Sequence, residues 1–381
     1  MIEPSTTAGV SEALRWAARD KQRVLVRGAG TKLGWGPPQP PAHMELSTLK
    51  LNRVVAHRHG DLTATIQCGA RLADVNRELA RHGQWIPLDP PFGDRATIGG
   101  IVATNDSGPR RHRFGAPRDL IIGVDIVRTD GVSAKAGGIV VKNVAGYDLA
   151  RLMTGSFGSL AVITSATFKL FPIPSASRTV VIDGPLAQLC QMAGTIASSQ
   201  LTPTAIEVQA SARGPARLLV RFESIQAAAE NQAQETAQLG PSSIASAGDE
   251  DTLWAAHDAR VWDRGGAVIK LTVVPTEMAA TLAWIANELA DVDYDVTGRA
   301  GVGVLLVRVE AVVAKQAAFV RALRARIAPG RGGAVIVRGS EDLRRESGAW
   351  GEIGSSAAVM RAIKAQFDPD GILADVWSAR L

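Results

Sequence analysis

Apolar residues recur along this chain at two spacings, and the switches between them predict its elements. Val10, Leu14 and Ala17 or Ala18 fall on one face at helical spacing, which predicts a helix over residues 7–20. Arg23–Arg27 (RVLVR) reads as a strand. Leu62, Ala64, Ile66 and Cys68 alternate with Thr63, Thr65 and Gln67, the mark of a half-buried strand with Cys68 inert in a core. Leu72, Val75 and Leu79 predict a helix to about His82, whose imidazole favours a helix C-terminus. Leu120–Arg128 and Leu160–Leu170 read as strands, and Asp130-Gly131 reads as a hairpin turn. Asp148 is suited to cap the helix LARLM. Phe171-Pro172-Ile173-Pro174 marks a boundary.

Beyond that boundary the pattern changes. Strands over Arg178–Ile182, Ala205–Gln209 and Arg217–Phe222 alternate with helices over 186–198 and 225–238. The order partly repeats: strand Ala267–Val274, helix 276–290, strands to about Glu310, helix 313–327, strand Ala334–Arg338. Two such units predict an α+β layer with an antiparallel sheet, joined by a flexible connection over Gly240–Glu250. A final helix, about Ser355–Phe367, leads to Asp368-Pro369-Asp370-Gly371-Ile372-Leu373. The expected division is 1–174, 175–345 and a returning segment 346–381.

A chain of 381 residues favours two domains over one. With 46% hydrophobic and 21% charged residues it is globular, and a net charge of +5 suits an acidic ligand. No dense basic run with interleaved aromatics argues for nucleic acid. The only cysteines, Cys68 and Cys190, cannot ligate an iron–sulfur cluster, which needs about four thiolates. The N-terminus lacks the apolar stretch of a signal peptide, and no run of about 18 apolar residues predicts a membrane span. A cytoplasmic setting is expected, and no metal site.

Pro87–Pro172 is different in kind. Glycines at 93, 99, 100, 108, 115, 146, 155 and 158 are separated by small and hydroxylic residues. Such a stretch fills a core poorly but lets backbone N–H groups approach an anion. A second glycine loop, Gly28-Ala29-Gly30-Thr31-Lys32-Leu33-Gly34-Trp35-Gly36-Pro37-Pro38, follows the strand RVLVR. Its third glycine is one residue late for a dinucleotide-fold turn, and Gly-Pro-Pro cannot start the long helix of that turn. It also lacks the Gly-Lys-Ser/Thr of a P-loop. It reads as a phosphate-holding loop between two strands.

Arg110, Arg111, His112 and Arg113 form a basic cluster able to clamp a carboxylate, or else a solvated loop. Lys142, Asn143 and Tyr147 are ligand candidates and equally caps or packing. His257, beside Trp254 and Trp262, reads as core-facing. Trp350 and Trp377 suit either a partner surface or a satellite core.

Taken together, VRGAGTKLGWG, DPP…ATIGGIVATNDSGP…RFG, GSFGSLAVIT and the closing DPDGIL resemble the vanillyl-alcohol-oxidase (PCMH) type of FAD-binding family, most closely over residues 7–174. GPRRHRFGAPRDLIIG, KNVAGYDLARLMTGSFGSLAVIT and KLFPIP resemble the FAD-binding E-subunit family of bacterial glycolate oxidase. The resemblance implies a PCMH-type two-subdomain FAD-binding domain plus an α+β cap. It implies FAD at Arg27, Gly28, Ala29, Gly30, Thr31 and Lys32 (pyrophosphate), at Pro91, Thr97, Ile98, Gly99, Gly100, Asn105, Ser107 and Gly108 (ribityl chain and isoalloxazine), and at Ile163 (adenine side). The loop has no histidine for a covalent flavin bond, so non-covalent FAD is expected. Related D-2-hydroxyacid dehydrogenases carry an acid–His–Gly motif and a cap histidine pair. This chain has neither, and the catalytic residues stay open among Arg111, His112, Arg113, Lys142 and Tyr147. The implied function is that of the FAD-binding subunit of a multi-subunit glycolate oxidase, turning glycolate into glyoxylate. A second flavin subunit and an iron–sulfur subunit would be its partners, with any contact to the inner face of the membrane made through them. The alternatives are a stand-alone D-2-hydroxyacid (D-lactate-like) dehydrogenase and a non-catalytic assembly subunit.

Overall fold

The computed structural model describes residues 1–138, 147–374 and 376. The helix α1 (Thr7–Arg19) starts at Thr6, whose side chain accepts from the Gly9 amide, and it buries Val10, Leu14 and Ala17. β1 (Val24–Arg27) and β2 (Met44–Ser47) pair in parallel, so the loop between them must cross back from one end of the pair to the other. β3 (Val54–Arg58) and β4 (Thr63–Gln67) form a hairpin, α2 (Leu72–Leu79) follows, and β5 is the short Gln84–Trp85. The glycine-rich region is more helical than its sequence implies, with α3 (Ile98–Thr104), α4 (Arg111–Phe114) and α5 (Pro117–Leu120). α3 tolerates two glycines because Thr97 caps it while Ile98, Ile101 and Val102 pack into the core. β6 (Ile121–Val127) and β7 (Ser133–Gly137) form the expected hairpin, turned at Gly131 with φ +76°. α6 (Leu149–Met153) is capped by Asp148, which accepts from the Arg151 amide, and β8 (Val162–Lys169) and β9 (Phe171–Pro172) complete this part. The five-stranded antiparallel sheet has the order β3-β4-β8-β6-β7. Cys68 is fully buried beside it, and burial pushes its thiol above the usual range.

The rest of the chain builds one eight-stranded antiparallel sheet in the order β13-β10-β12-β11-β15-β16-β14-β17. Its elements are β10 (Ala176–Gly184), α7 (Leu186–Ala197), β11 (Ala205–Ser211), β12 (Ala216–Ser224), α8 (Gln226–Ala237), β13 (Ser242–Ile244) and α9 (Ala247–Trp262). They continue through β14 (Ala267–Thr272), α10 (Met278–Glu288), β15 (Asp293–Arg299), β16 (Val304–Glu310), α11 (Val313–Arg326) and β17 (Gly333–Arg338). The stretch Gly240–Glu250, expected as a connection, instead supplies the edge strand β13 and the first turn of α9.

The two faces of this sheet differ in chemistry. Ile206, Val208, Leu218, Val220, Ile269, Leu271, Val296, Leu305 and Val307 face the apolar core under α7, α8, α10 and α11. The alternating residues on the other face include Glu207, Gln209, Arg221, Lys270, Thr297, Arg299 and Arg308. After α12 (Glu341–Ser347) and α13 (Ala357–Phe367) the chain returns to its beginning. Val24 N–H donates to the Ile372 carbonyl at 2.8 Å, and the Asp368 carboxylate accepts from the amides of Ile372 and Leu373 at 2.8 and 2.9 Å. Among the described residues no helix is long and apolar enough to cross a membrane.

Candidate active site

A groove opens where β1 ends. It is lined by residues 26–33, by Thr48, by Thr97, Gly99, Gly100, Ala103 and Thr104 of the α3 region, and by Phe157, Gly158, Ala161 and Ile163, and its free volume is about 120 Å³. Glycine is required at its floor for a local reason. A Cβ at Gly28 would stand 2.1 Å from Thr97 Oγ1, and Gly30 adopts φ +77°. Two cations flank the loop. Arg27 pairs with Glu45 at 3.4 Å. Lys32 is nearly buried and lies 3.3 Å from Asp106, yet its Nζ makes no hydrogen bond.

Beyond Asp106 the polar face of the large sheet takes over. Arg299 Nη2 donates to the Ser107 carbonyl at 2.7 Å, tying β15 to the segment after α3. Lys270 on β14 feels Asp106, Arg299 and Arg111, and burial holds its ammonium below the usual lysine range. Burial, with Arg299 nearby, also lowers Arg111. His112 lies against Gly301, where a Cβ would come within 2.4 Å of its ring. Burial lowers its pKa, keeping the imidazole neutral near pH 7, and its Nδ1 has no hydrogen-bond partner. Two more buried atoms lack partners: Arg299 Nε and Glu207 Oε1, which face each other at 4.0 Å. Unsatisfied buried polar atoms cost about 1–3 kcal/mol each, so three together mark a place where something else binds.

A charged latch holds the two sheet systems together beside this cleft. Arg110 reaches Glu223 of β12 through Nη2 at 2.7 Å and Nε at 3.0 Å, and it covers the Trp85 ring at 4.6 Å. Asp89 accepts from the Arg110 amide at 2.9 Å and pairs with Arg221 at 3.5 Å. Burial pushes the Asp89 carboxyl up to about 6, against the pull of both arginines. A cavity of about 20 Å³ remains between Asp89, Glu207, His257, Asp258, Thr297 and Arg299.

Of the residues singled out from sequence, Arg27, Gly28, Ala29, Gly30, Thr31, Lys32, Thr97, Gly99, Gly100 and Ile163 come together in the groove. Ile98 turns its side chain into the core. Pro91 and Gly108 border the small cavity instead. Asn105 ends α3 with φ +49° and accepts from the Arg118 amide, and Ser107 contributes its carbonyl to Arg299. Arg111 and His112 lie in the cleft, Arg113 is exposed, and Tyr147 is 93% exposed. Lys142, Asn143 and Trp377 lie outside the described residues. Trp350 packs against Phe157 at 4.8 Å. Glu207, Lys270 and Arg299 were not singled out. Their only local signal is a charge on one face of an otherwise apolar strand, as in AIEVQ, VIKLT and VTGRA. Among the described residues no group of three or more His, Cys, Asp or Glu is arranged to hold a metal.

Residues 1–137 match the family model described as FAD binding domain. The chain is 31% identical over 208 residues to glycolate oxidase subunit GlcD of Bacillus subtilis, covering 54% of this chain and 44% of that one. It is 36% identical over 170 residues to glycolate oxidase subunit GlcE of Escherichia coli (44% and 48%), and 30% identical over 258 residues to a D-lactate dehydrogenase of Archaeoglobus fulgidus (64% and 57%). The chain thus spans about half the length of the curated relatives it matches. Among solved structures, a chitooligosaccharide oxidase superposes with a TM-score of 0.71 at 17% identity, covering 99% of this chain and 91% of that one. An alkyldihydroxyacetonephosphate synthase gives 0.70 at 16%, covering 97% and 76%. The fold is the PCMH-type FAD-binding fold, and FAD is the cofactor. The groove suits it. The cradle at Gly28 is one that a Cβ would fill, and a buried ammonium with no hydrogen bond of its own stands at the side.

Proposed function

We propose that this PCMH-type FAD-binding chain is a flavin subunit of a glycolate oxidase assembly and takes part in oxidising a small 2-hydroxy acid to the 2-oxo acid. The observation that carries this reading is the set of unpartnered atoms in the cleft. A 2-hydroxy acid has one hydroxyl to donate and one carboxylate to accept. His112 Nδ1 accepts the hydroxyl, while Arg299, Arg111 and Lys270 receive the carboxylate.

FAD would be held by Arg27, Gly28, Ala29, Gly30, Thr31 and Lys32 at its diphosphate, and along its length by Thr97, Gly99, Gly100 and Ile163. Pro91, Ile98, Asn105, Ser107 and Gly108 are assigned to the same cofactor from the resemblance. Bound there, FAD supplies a two-electron acceptor. The chain's own residues do the rest. The cations fix the carboxylate and so aim the hydroxyl, neutral His112 takes its proton, and the Arg110–Glu223 latch keeps bulk water out. With its pKa held down by burial, His112 implies a rate that stays level through the usual histidine range and falls only at a lower pH.

By the resemblance to glycolate oxidase subunits, the electrons would pass to a partner iron–sulfur subunit, and a second flavin subunit would complete the assembly. The chain would divide into an FAD domain (1–174), a cap (175–345) and a returning segment (346–381), working in the cytoplasm or at the inner membrane face. The longest of the three sequence matches, to a D-lactate dehydrogenase, favours a second reading, a self-sufficient enzyme acting on D-lactate. A non-catalytic assembly subunit is the third.

The test is an absorbance spectrum of the purified chain before and after acid precipitation, then anaerobic addition of glycolate or D-lactate. Yellow colour left in the supernatant means non-covalent FAD. Bleaching by glycolate supports the proposal, and bleaching by D-lactate alone supports the second reading. A flavin that neither acid bleaches, even when the partner subunits are added back, overturns both and leaves the assembly role.

A further inference from the structure

The cleft contains a row of polar groups for which the scheme above has no use. Glu207 on β11 is 1% exposed, and its Oε2 lies 3.0 Å from His257 Nε2 on α9. The other ring nitrogen, Nδ1, lies 2.8 Å from Gln209 Nε2. An amide nitrogen donates, so Nδ1 accepts and the imidazole proton sits on Nε2, facing Glu207. That leaves Glu207 Oε1 free of any partner, 4.0 Å from the equally free Arg299 Nε. A donor and an acceptor at that separation are bridged well by a water. Adjoining them is the cavity of about 20 Å³, which has room for one water molecule. Its wall includes Asp258, which is exposed to solvent on its other side. At the inner end α4 packs on β11, bringing His112 close enough to Glu207 to feel its charge.

We infer that Glu207 relays the proton taken from the substrate hydroxyl out of the cleft, through the cavity water to Asp258 and solvent, and that His257 is the positioning residue that holds Glu207 for this. The inference rests on the 2-hydroxy acid reading and adds a route to it. The balance is simple. The substrate O–H bond breaks as an N–H bond forms on His112. His112 then gives up a proton to Glu207 Oε1, and Glu207 passes it on, so neither residue ends the cycle changed. The charged and titratable groups around Glu207 include His112 from α4, Arg299 from β15, His257 and Asp258 from α9, Arg221 on the same face of β12, and Asp89 from the segment before α3.

Stopped-flow reduction of the FAD-loaded full chain by glycolate or D-lactate, with a pH-indicator dye, tests the route. In the wild type one proton appears in solution in step with bleaching. In Glu207→Gln it lags bleaching by about tenfold or more, Glu207→Asp restores part of the rate, and His257→Phe gives an intermediate lag. A crystal structure supplies a readout that needs no turnover: water between Glu207 Oε1 and Arg299 Nε and in the cavity. Proton release in step with bleaching in Glu207→Gln, or a dry gap and cavity, overturns the inference while leaving the function intact. A wild-type flavin that no 2-hydroxy acid bleaches, even with the partner subunits added back, overturns the function itself, and with it the proton to be carried.

Discussion

Gly28→Ala tests the groove at its narrowest point. The new Cβ would stand 2.1 Å from Thr97 Oγ1 and 3.1 Å from both Thr97 Cβ and Cγ2. Real carbon atoms do not approach that closely, so either the loop 28–31 or the N-terminus of α3 must move. Both line the groove, so the movement is made at the expense of the cofactor. Overpacking of this size costs about 1–3 kcal/mol, which corresponds to a loss of about 5- to 150-fold in FAD affinity. Gly34→Ala is the control. It lies in the same loop, but a Cβ there meets nothing within 4 Å. The assay is titration of flavin-free protein with FAD, followed by flavin fluorescence, beside the thermal unfolding of the flavin-free protein. Gly28→Ala should weaken FAD strongly, and Gly34→Ala should not. Thr97→Ala in the Gly28→Ala background removes the 2.1 Å contact but keeps Cβ, so it should recover part of the loss, a coupling the two single changes do not add up to. Equal affinities for the Gly28 and Gly34 variants, or no recovery with Thr97→Ala, would refute the reasoning.

Other consequences follow from the cleft and its latch. Arg299→Ala removes a cation assigned to the substrate carboxylate in the proposed reaction and should lower kcat/KM by about 10- to 150-fold, the worth of a charged hydrogen bond. Arg110→Ala leaves Glu223, whose side chain is 4% exposed, without its bidentate partner. It should destabilise the protein by about 3–5 kcal/mol in urea unfolding. Asp89 gives a pH signature. Its carboxyl is raised to about 6 in the folded protein, so its contribution to stability is present below about pH 4 and lost as pH rises through 6. The stability of the wild type relative to Asp89→Asn should therefore fall between about pH 4 and 6, by at most about 3 kcal/mol, and stay level above that.

The strands β1, β4, β6 and β8 of the N-terminal part were legible as short alternating or apolar runs, whereas β2 and β3 were not read from the sequence. Leu62–Cys68 alternates cleanly, and β4 appears there. The groove loop was legible for a different reason, since a strand followed by GAGTKLG has few structural uses. α3 was not. IGGIVAT has two glycines in seven residues, a poor helix by propensity, and it forms because Thr97 caps it and three aliphatic side chains find a core. β13 escaped because SSI is exposed along its length and gains its pairing only from β10. The polar face of the large sheet could not be read locally at all. Glu207, Lys270 and Arg299 alternate with aliphatic residues, and the natural reading of that alternation is a solvent face. What covers them is the segment after α3, roughly a hundred or more residues away in sequence. His257 was read correctly as core-facing, yet its partner Glu207 is 50 residues distant.

That same sheet face carries two buried charge clusters, and the difference between them argues for function in one and structure in the other. Arg308 is fully buried, but its guanidinium is spent: Nε donates to Asp295, Nη2 to Asp293, and Nη1 to the Gly265 carbonyl and Glu310. Arg308 thus fixes β15 and β16 beside the end of α9 and has nothing left for a ligand. At the other end of the same strands, Arg299 Nε, Glu207 Oε1, His112 Nδ1 and Lys32 Nζ are buried without hydrogen bonds. Burying ions is poor economy for stability even when they are fully paired. Leaving them incomplete lowers stability further, and a fold tolerates it most readily where a bound molecule completes the set. The unsatisfied cluster is therefore where the proposed reading puts the substrate and the cofactor. A variant that removes the orphan charges, such as Arg299→Gln paired with Glu207→Gln, which keeps an acceptor for His257 Nε2 and an amide donor on β15, should gain thermal stability while losing turnover. If the pair instead lowered stability as a cavity-forming change does, the cleft would be structural and the argument from unsatisfied atoms would fail.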